Sequence, residues 1–428
     1  MLTRTMRSVA IVAIAGLALA ACGSNSDSSS SSSAGGSGGS SGSGPIKVLV
    51  SGAASGALAP NASMSINGTK AAVNEINAAG GINGRQLEVT VVDDNGDATT
   101  AVSVLQKAIA ESKPDVFLNS GPSTVAAATL PVLTENKILS FNLGPTADSG
   151  NPQVNAYNFD TAQTTSTIVN GIAADVKEEG YKNVGVLHGN SAYGEAFSAA
   201  VDKSFSDQGL TVVANEEYDT TALDMTPQIE AVKAKNPDVM VLDAYGAPLG
   251  YILKNIEKLG WDVPIRGNTS VSATKLISTP APDGVLGTDQ VANLKIQVFE
   301  SAVYDASNDR VNKAIASMKA IGPIQSTVIT ALNYDAIYLY KAAVEKAGST
   351  DPTAVAKALE DTAVTGAADV AFLPEYNFSA ESHSPNSNST KNYYSFIPPA
   401  PIQDGQFHPA GSASGSGSAE ASTAPSSN

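Results

Sequence analysis

Short runs of apolar and β-branched residues alternate with segments of helical periodicity along most of this chain. The run Ile46–Ser51 is followed by a helical pattern over Ser63–Ala79 and by a second run over Leu87–Asp94. A second series of the same kind begins at Val184–His188 and continues to Leu259. Strands separated by helices pair in parallel, with helices on both faces of the sheet. The pattern therefore predicts an α/β fold with two doubly wound, Rossmann-like lobes.

Composition excludes several classes of partner and site. The chain has 428 residues, with 25 Lys and Arg against 41 Asp and Glu, so its formal net charge is -16. Nucleic-acid binding depends on basic residues set against phosphates, and no nucleic-acid partner is expected. The single cysteine, Cys22, rules out an intramolecular disulfide, a CxxC pair and a cysteine-rich zinc site.

The amino terminus has the features of a secretory signal. Arg4 and Arg7 form a basic start, Val9–Leu19 is an unbroken run of apolar residues and glycine, and two alanines precede Cys22. The run is too short to span a bilayer, which takes about 20 apolar residues. The junction LAAC resembles the bacterial lipobox, which implies a signal peptide over residues 1–21 and a lipidated Cys22 on the extracytoplasmic face of the cell membrane. The alternative is a secreted protein cut at the same place and carrying a free thiol.

Two segments of low complexity flank the part that can fold. Residues 22–44 are almost entirely serine and glycine after the cysteine, and residues 411–428 have the same Ser/Gly/Ala bias. Neither segment offers the apolar residues that a core needs, so we expect a flexible spacer and a disordered tail. The folded body is expected over residues 45–410.

Loops that leave the carboxyl ends of the predicted strands are the first candidates for a binding site. They are rich in Gly, Ser, Thr, Asn and Tyr, a composition suited to hydrogen bonds with a small polar molecule. The six loops cover Ser51–Asn61, Asn119–Ser123, Asn142–Thr146, His188–Gly194, Asp243–Pro248 and Asn268–Ser272. Together they predict a cleft between the lobes, with backbone amides at the start of the Ser123 helix available to an anionic group.

Five segments occur in an order typical of one family. They are SGALAPNASMSINGTKAAVNEINAAGGINGRQLEVTVVDD, GPSTVAAATLPVL, HGNSAYGEAF, DAYGAPLGYILKNIEKLG and LNYDAIYLYKAAVEKAG. Together they resemble the leucine/isoleucine/valine-binding proteins, the type I periplasmic-binding family of solute receptors for ABC importers. The resemblance implies a monomer whose two lobes, joined by three crossovers, close on a solute by hinge bending and meet ABC permease subunits. It implies a first lobe of residues 45–161 and 290–370, and a second lobe of residues 162–289 and 371–410.

The resemblance also implies a binding site. The first lobe would meet a ligand carboxylate with backbone amides, hydroxyls and one carbonyl, and tyrosines of the second lobe would close over the ligand. The implied ligand-binding residues are Gly121, Ser123, Pro145, Thr146, Tyr193, Gly194, Tyr245, Thr269 and, near the hinge, Tyr334. Tyr193 and Tyr245 also lie in strand-exit loops, so truncating them is expected to weaken binding more than truncating any histidine.

Two positions depart from the family pattern. Thr269 stands where amino-acid-binding members have a glutamate for the ligand ammonium, and Asn61 stands where a tryptophan or tyrosine is common. Asp243 or Glu195 could supply a carboxylate instead, although an exposed acid on a surface loop is the preferred interpretation of both. We therefore expect leucine, isoleucine and valine to bind weakly, and amides, urea and small acids stay candidate solutes.

Catalysis and metal binding fit this sequence less well. The histidines are His188, His383 and His408; none has metal-ligand spacing, and no nucleophile is paired with the first of them. The cluster Asp93–Asp97 lacks the glutamate that an EF-hand needs, so a helix-capping turn is expected there. We expect no enzyme activity, cofactor or metal. A lipoprotein that reports its ligand to a membrane sensor would have the same fold and stays an alternative function.

Overall fold

The computed structural model describes residues 44–56, 58–385 and 393–410. The predicted signal peptide, Cys22 with its spacer up to residue 43, and the predicted tail from residue 411 lie outside the described residues. None of the helices in the described ranges combines the length and apolar character needed to cross a lipid bilayer.

The first lobe begins with strands and helices in alternation. Its elements are β1 (Ile46–Gly52), α1 (Ala59–Ala78), β2 (Leu87–Asp93), α2 (Ala98–Ser112), β3 (Val116–Asn119), α3 (Ser123–Glu135), β4 (Leu139–Asn142) and β5 (Asn158–Asp160). The five strands pair in parallel in the order β2-β1-β3-β4-β5. β3 and β4 are buried on both faces, as expected where helices cover both sides of a parallel sheet.

The second lobe repeats this arrangement. Its elements are α4 (Thr165–Glu178), β6 (Asn183–Gly189), α5 (Ala192–Asp207), β7 (Thr211–Tyr218), α6 (Thr226–Lys233), β8 (Val239–Leu242), α7 (Ala247–Lys258), β9 (Ile265–Gly267), α8 (Thr269–Ser272), β10 (Leu294–Phe299) and, from near the carboxyl terminus, β11 (Tyr394–Ile397). The strand order is β11-β10-β9-β8-β6-β7, and β11 pairs antiparallel with β10 while the other neighbours pair in parallel. The prediction of two α/β lobes is confirmed.

Between β10 and β11 the chain returns to the first lobe. The remaining elements are α9 (Asp309–Ile321), α10 (Asn333–Ala347), α11 (Pro352–Leu359), α12 (Thr362–Thr365) and the hairpin strands β12 (Ile402–Gln403) and β13 (Gln406–Phe407). Helices α9 and α10 pack against α1 and so belong to the first lobe. The chain therefore passes between the lobes after β5, after β10 and before β11, which confirms the three-crossover prediction.

The lobe boundaries differ from the predicted ones in two places. The sequence predicts that the second lobe ends at residue 289, but β10 pairs with β9 and keeps the chain in the second sheet until Phe299. The sequence also predicts that residues 371–410 join the second lobe as one segment. Instead, residues 371–385 pack on the first lobe, and β11 is the described element of that segment that joins the second sheet. Both corrections arise from strand pairing and long-range hydrogen bonds, which local patterns do not reveal.

A buried carboxylate holds the start of that segment on the first lobe. Asp335 of α10 accepts the backbone amides of Ala371, Phe372 and Leu373 at 2.6, 3.0 and 3.0 Å. The hydroxyl of Tyr376 donates to the same carboxylate at 3.0 Å. Burial raises the pKa of Asp335, and the backbone amides act in the opposite direction. One side chain thus fixes the path of the chain before the third crossover.

A second buried carboxylate lies where β5 leaves the first sheet. Asp160 Oδ1 accepts from the side-chain amides of Asn142 at 3.0 Å and Asn158 at 3.2 Å. Its Oδ2 accepts from the hydroxyls of Ser149 and Ser384, each at 2.8 Å. Because burial outweighs these hydrogen bonds, the pKa of Asp160 rises to about 6. The side chain therefore connects the start of the first crossover to the segment that precedes the third.

Asp160 should make the folded protein less stable as the pH rises. The pKa is about 6 in the folded protein against an ordinary 3.8, so the folded state binds the proton more tightly. The associated stabilisation, about 3 kcal/mol, is complete below about pH 4 and is lost as the pH rises through about 6. We expect the unfolding free energy of the wild type to fall relative to that of Asp160→Asn between about pH 4.5 and about pH 7.5 in urea titrations.

The control for this measurement is Asp97→Asn. Asp97 is an exposed acid whose pKa is lowered by the hydrogen bond that its side chain accepts from the Thr100 amide, so its stabilisation is lost as the pH falls. The two variants should therefore change the pH profile in opposite directions. If the difference in unfolding free energy between the wild type and Asp160→Asn is the same at about pH 4.5 and about pH 7.5, the raised pKa of Asp160 is contradicted.

Candidate functional site

The two lobes enclose a cavity of about 370 Å³ at the carboxyl ends of their strands. The first lobe contributes the loops after β1, β3 and β4, and the second lobe contributes the loops after β6, β7, β8 and β9. Parallel strands all end at one edge of their sheet, so these loops meet across the gap between the lobes. This is the cleft that the strand-exit loops predict.

Most of the predicted binding residues line this cavity. They are Gly121, Ser123, Pro145, Tyr193, Tyr245 and Thr269. The other three, Thr146, Gly194 and Tyr334, are not part of the cavity lining. The structure therefore brings together residues of five separate loops, and three of the predicted residues lie outside the cavity lining.

Two asparagine turns shape the wall of the first lobe. Asn119 Oδ1 accepts the amide of Gly121 at 2.9 Å, and Asn142 Oδ1 accepts the amide of Gly144 at 3.0 Å. The Nδ2 of Asn119 donates to Oδ1 of Asn142 at 2.9 Å and joins the two turns. Gly144 lies so close to α3 that a β-carbon there would be 2.8 Å from the nitrogen of Ser123. The Gly121 amide is thus engaged, and the amino terminus of α3 is the group that faces the cavity.

Thr146 and Gly194 use their amides within their own turns. The amide of Thr146 donates to Ser149 Oγ at 2.8 Å. The amide of Gly194 donates to Ser191 Oγ at 3.0 Å, a hydrogen bond that caps α5. These local bonds already satisfy both backbone amides.

Tyr334 supports the first lobe and does not face the cavity. Its hydroxyl donates to Glu75 Oε1 at 2.9 Å and accepts from the Arg310 guanidinium at 2.8 Å. The guanidinium also lies over the tyrosine ring, 5.1 Å from its centroid. These contacts join α1, α9 and α10. The helix thus turns the ring of Tyr334 toward the other helices of its lobe, and the residue does not line the cavity.

Asn61 connects the two lobes across the cavity. Its Nδ2 donates to the hydroxyl of Tyr245 and lies 3.3 Å from the carbonyl oxygen of Ala273, both in the second lobe. Its Oδ1 accepts from the hydroxyl of Ser326 in its own lobe. The sequence marks Asn61 only as a missing aromatic residue. In the structure, it lies in the first turn of α1 and links that helix of the first lobe to the second lobe.

Tyr193 lines the cavity and carries a buried hydroxyl. Its oxygen is buried and has no hydrogen-bond partner of good geometry in the part of the chain that the structure describes. Burial raises the pKa of Tyr193, and the nearby carboxylate of Asp243 raises it further. The hydroxyl therefore stays protonated and can donate to a bound molecule.

Asp243 is a buried acid in the cavity wall. Its side chain is only 4% exposed, and its Oδ1 accepts from Asn268 Nδ2 at 2.7 Å. Burial raises the pKa of Asp243 more than the Asn268 hydrogen bond lowers it. Glu195 is exposed, as predicted. The interpretation of Asp243 as an exposed surface acid is wrong, because β8 ends inside the cleft between the lobes.

Sequence reasoning missed the part of the site that comes from the crossovers. Gln163 lines the cavity from the crossover after β5 and is fully buried. β5 has three residues, too few for the periodicity that identifies a strand, so a search of strand-exit loops passes over it. Ile168, Phe299 and Leu332 form an apolar wall and come from segments far apart in sequence. Recognising β5 as a strand was the one signal that could have identified Gln163.

The structure also places the groups considered for catalysis and metal binding. None of the histidines lines the cavity, although His188 is buried beside it. Among residues 44–56, 58–385 and 393–410, no group of three or more His, Cys, Asp or Glu side chains could hold a metal ion. In the acidic cluster, Asp97 caps α2 by accepting the Thr100 amide at 2.8 Å, which confirms the predicted capping turn.

Relatives of known function share most of the folded body. The chain is 28% identical over 322 residues to the leucine-, isoleucine-, valine-, threonine-, and alanine-binding protein of Pseudomonas aeruginosa, a match that covers 73% of this chain and 82% of that protein. It is 25% identical over 293 residues to the Leu/Ile/Val-binding protein of Escherichia coli, covering 64% of this chain and 78% of that protein.

Solved structures agree on the fold. The branched-chain amino acid transporter substrate binding protein LivJ from Streptococcus pneumoniae, in complex with isoleucine, has a TM-score of 0.62 at 21% identity and covers 85% of this chain and 97% of its own. A solute binding protein from R. palustris in complex with benzoate has a TM-score of 0.66 at 19% identity and covers 84% and 99%. A family model described as a periplasmic binding protein matches residues 45–390. The chain therefore belongs to the periplasmic binding protein family of solute receptors and has the type I fold.

Proposed function

We propose that this protein is an extracytoplasmic, lipid-anchored receptor that binds a small α-amino acid with an apolar side chain and delivers it to an ABC importer of the branched-chain amino acid type. One observation carries the proposal: a single small cavity combines the amino terminus of α3, the buried carboxyl of Asp243 and an apolar wall. An α-amino acid offers a partner for each of these three features.

The amino terminus of α3 suits the carboxylate of such a ligand. Ser123 is the first residue of this 13-residue helix, and Pro122, Ser123 and Thr124 all line the cavity. The first amides of a helix have no partner within the helix, and the helix dipole adds positive potential at that end. A carboxylate placed there accepts hydrogen bonds from these amides without needing a basic side chain.

Asp243 suits the ammonium group. From the sequence alone, Asp243 is interpreted as an exposed surface acid, and threonine, not glutamate, stands at position 269. This is the reason to expect weak binding of leucine, isoleucine and valine. A buried carboxyl in the same cavity removes that reason. Burial alone disfavours the charged form of Asp243, and an ammonium group beside it would compensate the charge.

The cavity wall and its size suit an apolar side chain. Leu58, Leu143, Ile168, Phe299 and Leu332 contribute apolar surface from both lobes and the crossovers. The volume of about 370 Å³ lies near the lower end of the range of small-molecule sites, so it favours a compact solute. The Pseudomonas aeruginosa relative is named for binding alanine, threonine and the three branched-chain amino acids, which supports this class.

A small acid without an ammonium group is the second candidate. It is favoured by Thr269, which lines the cavity where the family pattern has glutamate, and by the apolar wall. The structural neighbour from R. palustris was solved with benzoate. The two candidates differ in whether the ligand needs a negative partner at Asp243.

Asp243→Asn should separate these candidates. The variant keeps the oxygen that accepts from Asn268 and removes the negative charge. In calorimetric titrations we expect leucine to bind about ten- to a hundredfold more weakly, because a hydrogen bond to a charged partner contributes about 1.5–3 kcal/mol. Benzoate, which lacks an ammonium group, should bind the variant no more weakly than the wild type.

Glu195→Gln is the matched control, since it removes an exposed carboxylate from the same lobe and should leave both affinities unchanged. Leucine binding that is equally tight in the wild type and Asp243→Asn would rule out an ammonium site at Asp243. Benzoate binding by a wild type that does not bind leucine would favour the second candidate.

Asn61→Ala should favour the open form of the receptor. The substitution removes the hydrogen bonds to Tyr245 and Ala273, each of which contributes about 0.5–1.5 kcal/mol. We expect the ligand-free variant to show a larger radius of gyration than the wild type in small-angle scattering, and both to contract with saturating ligand. Asn67→Ala on the same helix is the control, and equal radii for all three proteins without ligand would argue against an interlobe role for Asn61.

Cys22 should carry the membrane anchor. The LAAC junction and the Ser/Gly segment after it motivate this part of the proposal. Mass spectrometry of the protein extracted from membranes is expected to detect an acylated amino-terminal cysteine, and Cys22→Ser should release the protein from the membrane fraction. Recovery of the wild type from the soluble fraction with a free thiol would disprove lipidation.

A further inference from the structure

We infer that Gln163, in the first crossover between the lobes, binds the solute directly and donates its side-chain amide to a carboxylate oxygen of that solute. The inference deepens the proposed function and rests on it, because it needs a carboxylate-bearing solute in this cavity. No part of the family pattern in the sequence marks Gln163. The residue is identified by burial, by an unsatisfied donor and by the contact that orients its amide.

The donor of Gln163 is buried at the cavity without a partner. The side chain is fully buried and lines the cavity. Its Oε1 accepts from the hydroxyl of Tyr394, whereas its Nε2 has no hydrogen-bond partner in the described part of the chain. A buried amide donor left without a partner costs free energy, and an acceptor on a bound solute would recover it. An oxygen of a solute in this cavity would be a suitable acceptor for Nε2.

Tyr394 contacts the oxygen end of the Gln163 amide. Its ring stacks on Phe299, with 5.8 Å between centroids, and packs against α4 at Gly171. A β-carbon at Gly171 would lie 2.9 Å from the Tyr394 ring, so this position needs glycine for the ring to fit. In this arrangement Oε1 of Gln163 lies against the Tyr394 hydroxyl, and Nε2 is the end of the amide that the described residues leave unpaired.

The position of Gln163 connects the solute to the hinge. Thr161, two residues earlier, donates its amide to the Asn142 carbonyl of the first lobe at 2.9 Å. Thr164, the next residue, caps α4 of the second lobe through the amide of Thr167. Gln163 therefore lies where the chain changes from one lobe to the other. A solute that accepts a hydrogen bond from Gln163 contacts the first crossover as well as the two lobes.

The test compares two acids with and without this donor. Leucine and benzoate both carry a carboxylate, so loss of the donor should weaken both, unlike the loss of charge at Asp243. In calorimetric titrations of the full-length protein, we expect Gln163→Met to weaken whichever of these acids the wild type binds by about ten- to a hundredfold. Gln163→Glu, which puts an acceptor in place of the donor, should weaken them at least as much.

Tyr394→Phe tests the orientation of the amide. It leaves Gln163 in place and removes the hydroxyl that holds Oε1, so we expect a smaller loss of affinity than for Gln163→Met. Thermal unfolding without ligand verifies that each variant is folded, and Gln163→Glu serves if Gln163→Met does not fold. Unchanged affinity in both Gln163 variants would overturn this inference and leave the proposed function standing. A wild type that binds neither acid would overturn the proposed function.

Discussion

Parallel strand pairing is the constraint on which the rest of this structure depends. Two neighbouring parallel strands can be connected only by a crossover. The strands of such a sheet therefore all end at the same edge, where each is followed by a loop and a helix. In this protein the edges of both sheets border one cavity. The amino terminus of α3 and the end of β8, which places Asp243, come to the same cavity for this reason.

The cavity between the lobes is lined by polar residues that are largely buried. Asp243 carries a carboxyl whose charged form burial disfavours, and Tyr193 and Gln163 carry buried polar atoms for which residues 44–56, 58–385 and 393–410 offer no hydrogen-bond partner of good geometry. Such groups cost free energy when they are left unpaired and favour a ligand that pairs them. They lie among apolar side chains, so the cavity complements a small molecule that is charged at one end and apolar at the other.

Two buried carboxylates hold segments next to the crossovers on the first lobe. Asp335 fixes the segment before the third crossover through three backbone amides, and Asp160 connects the first crossover to Ser384. Both lie within the first lobe, so they stiffen the chain on that side of the hinge. Gln163 lies between these anchored segments and the second sheet.

The sequence by itself determined the alternation of strands and helices in the first part of each lobe, the two-lobed α/β fold, the capping turn at Asp97 and the loops that meet at the cleft. These features depend on neighbours a few residues apart, which periodicity and turn chemistry report directly. Only the tertiary structure decided that Asp243 is buried, that Tyr334 faces Arg310, that residues 371–385 return to the first lobe and that Gln163 reaches the cavity. Each of these depends on contacts between residues far apart in sequence, such as Asn61 with Tyr245, and burial is a property of those contacts and not of the local pattern.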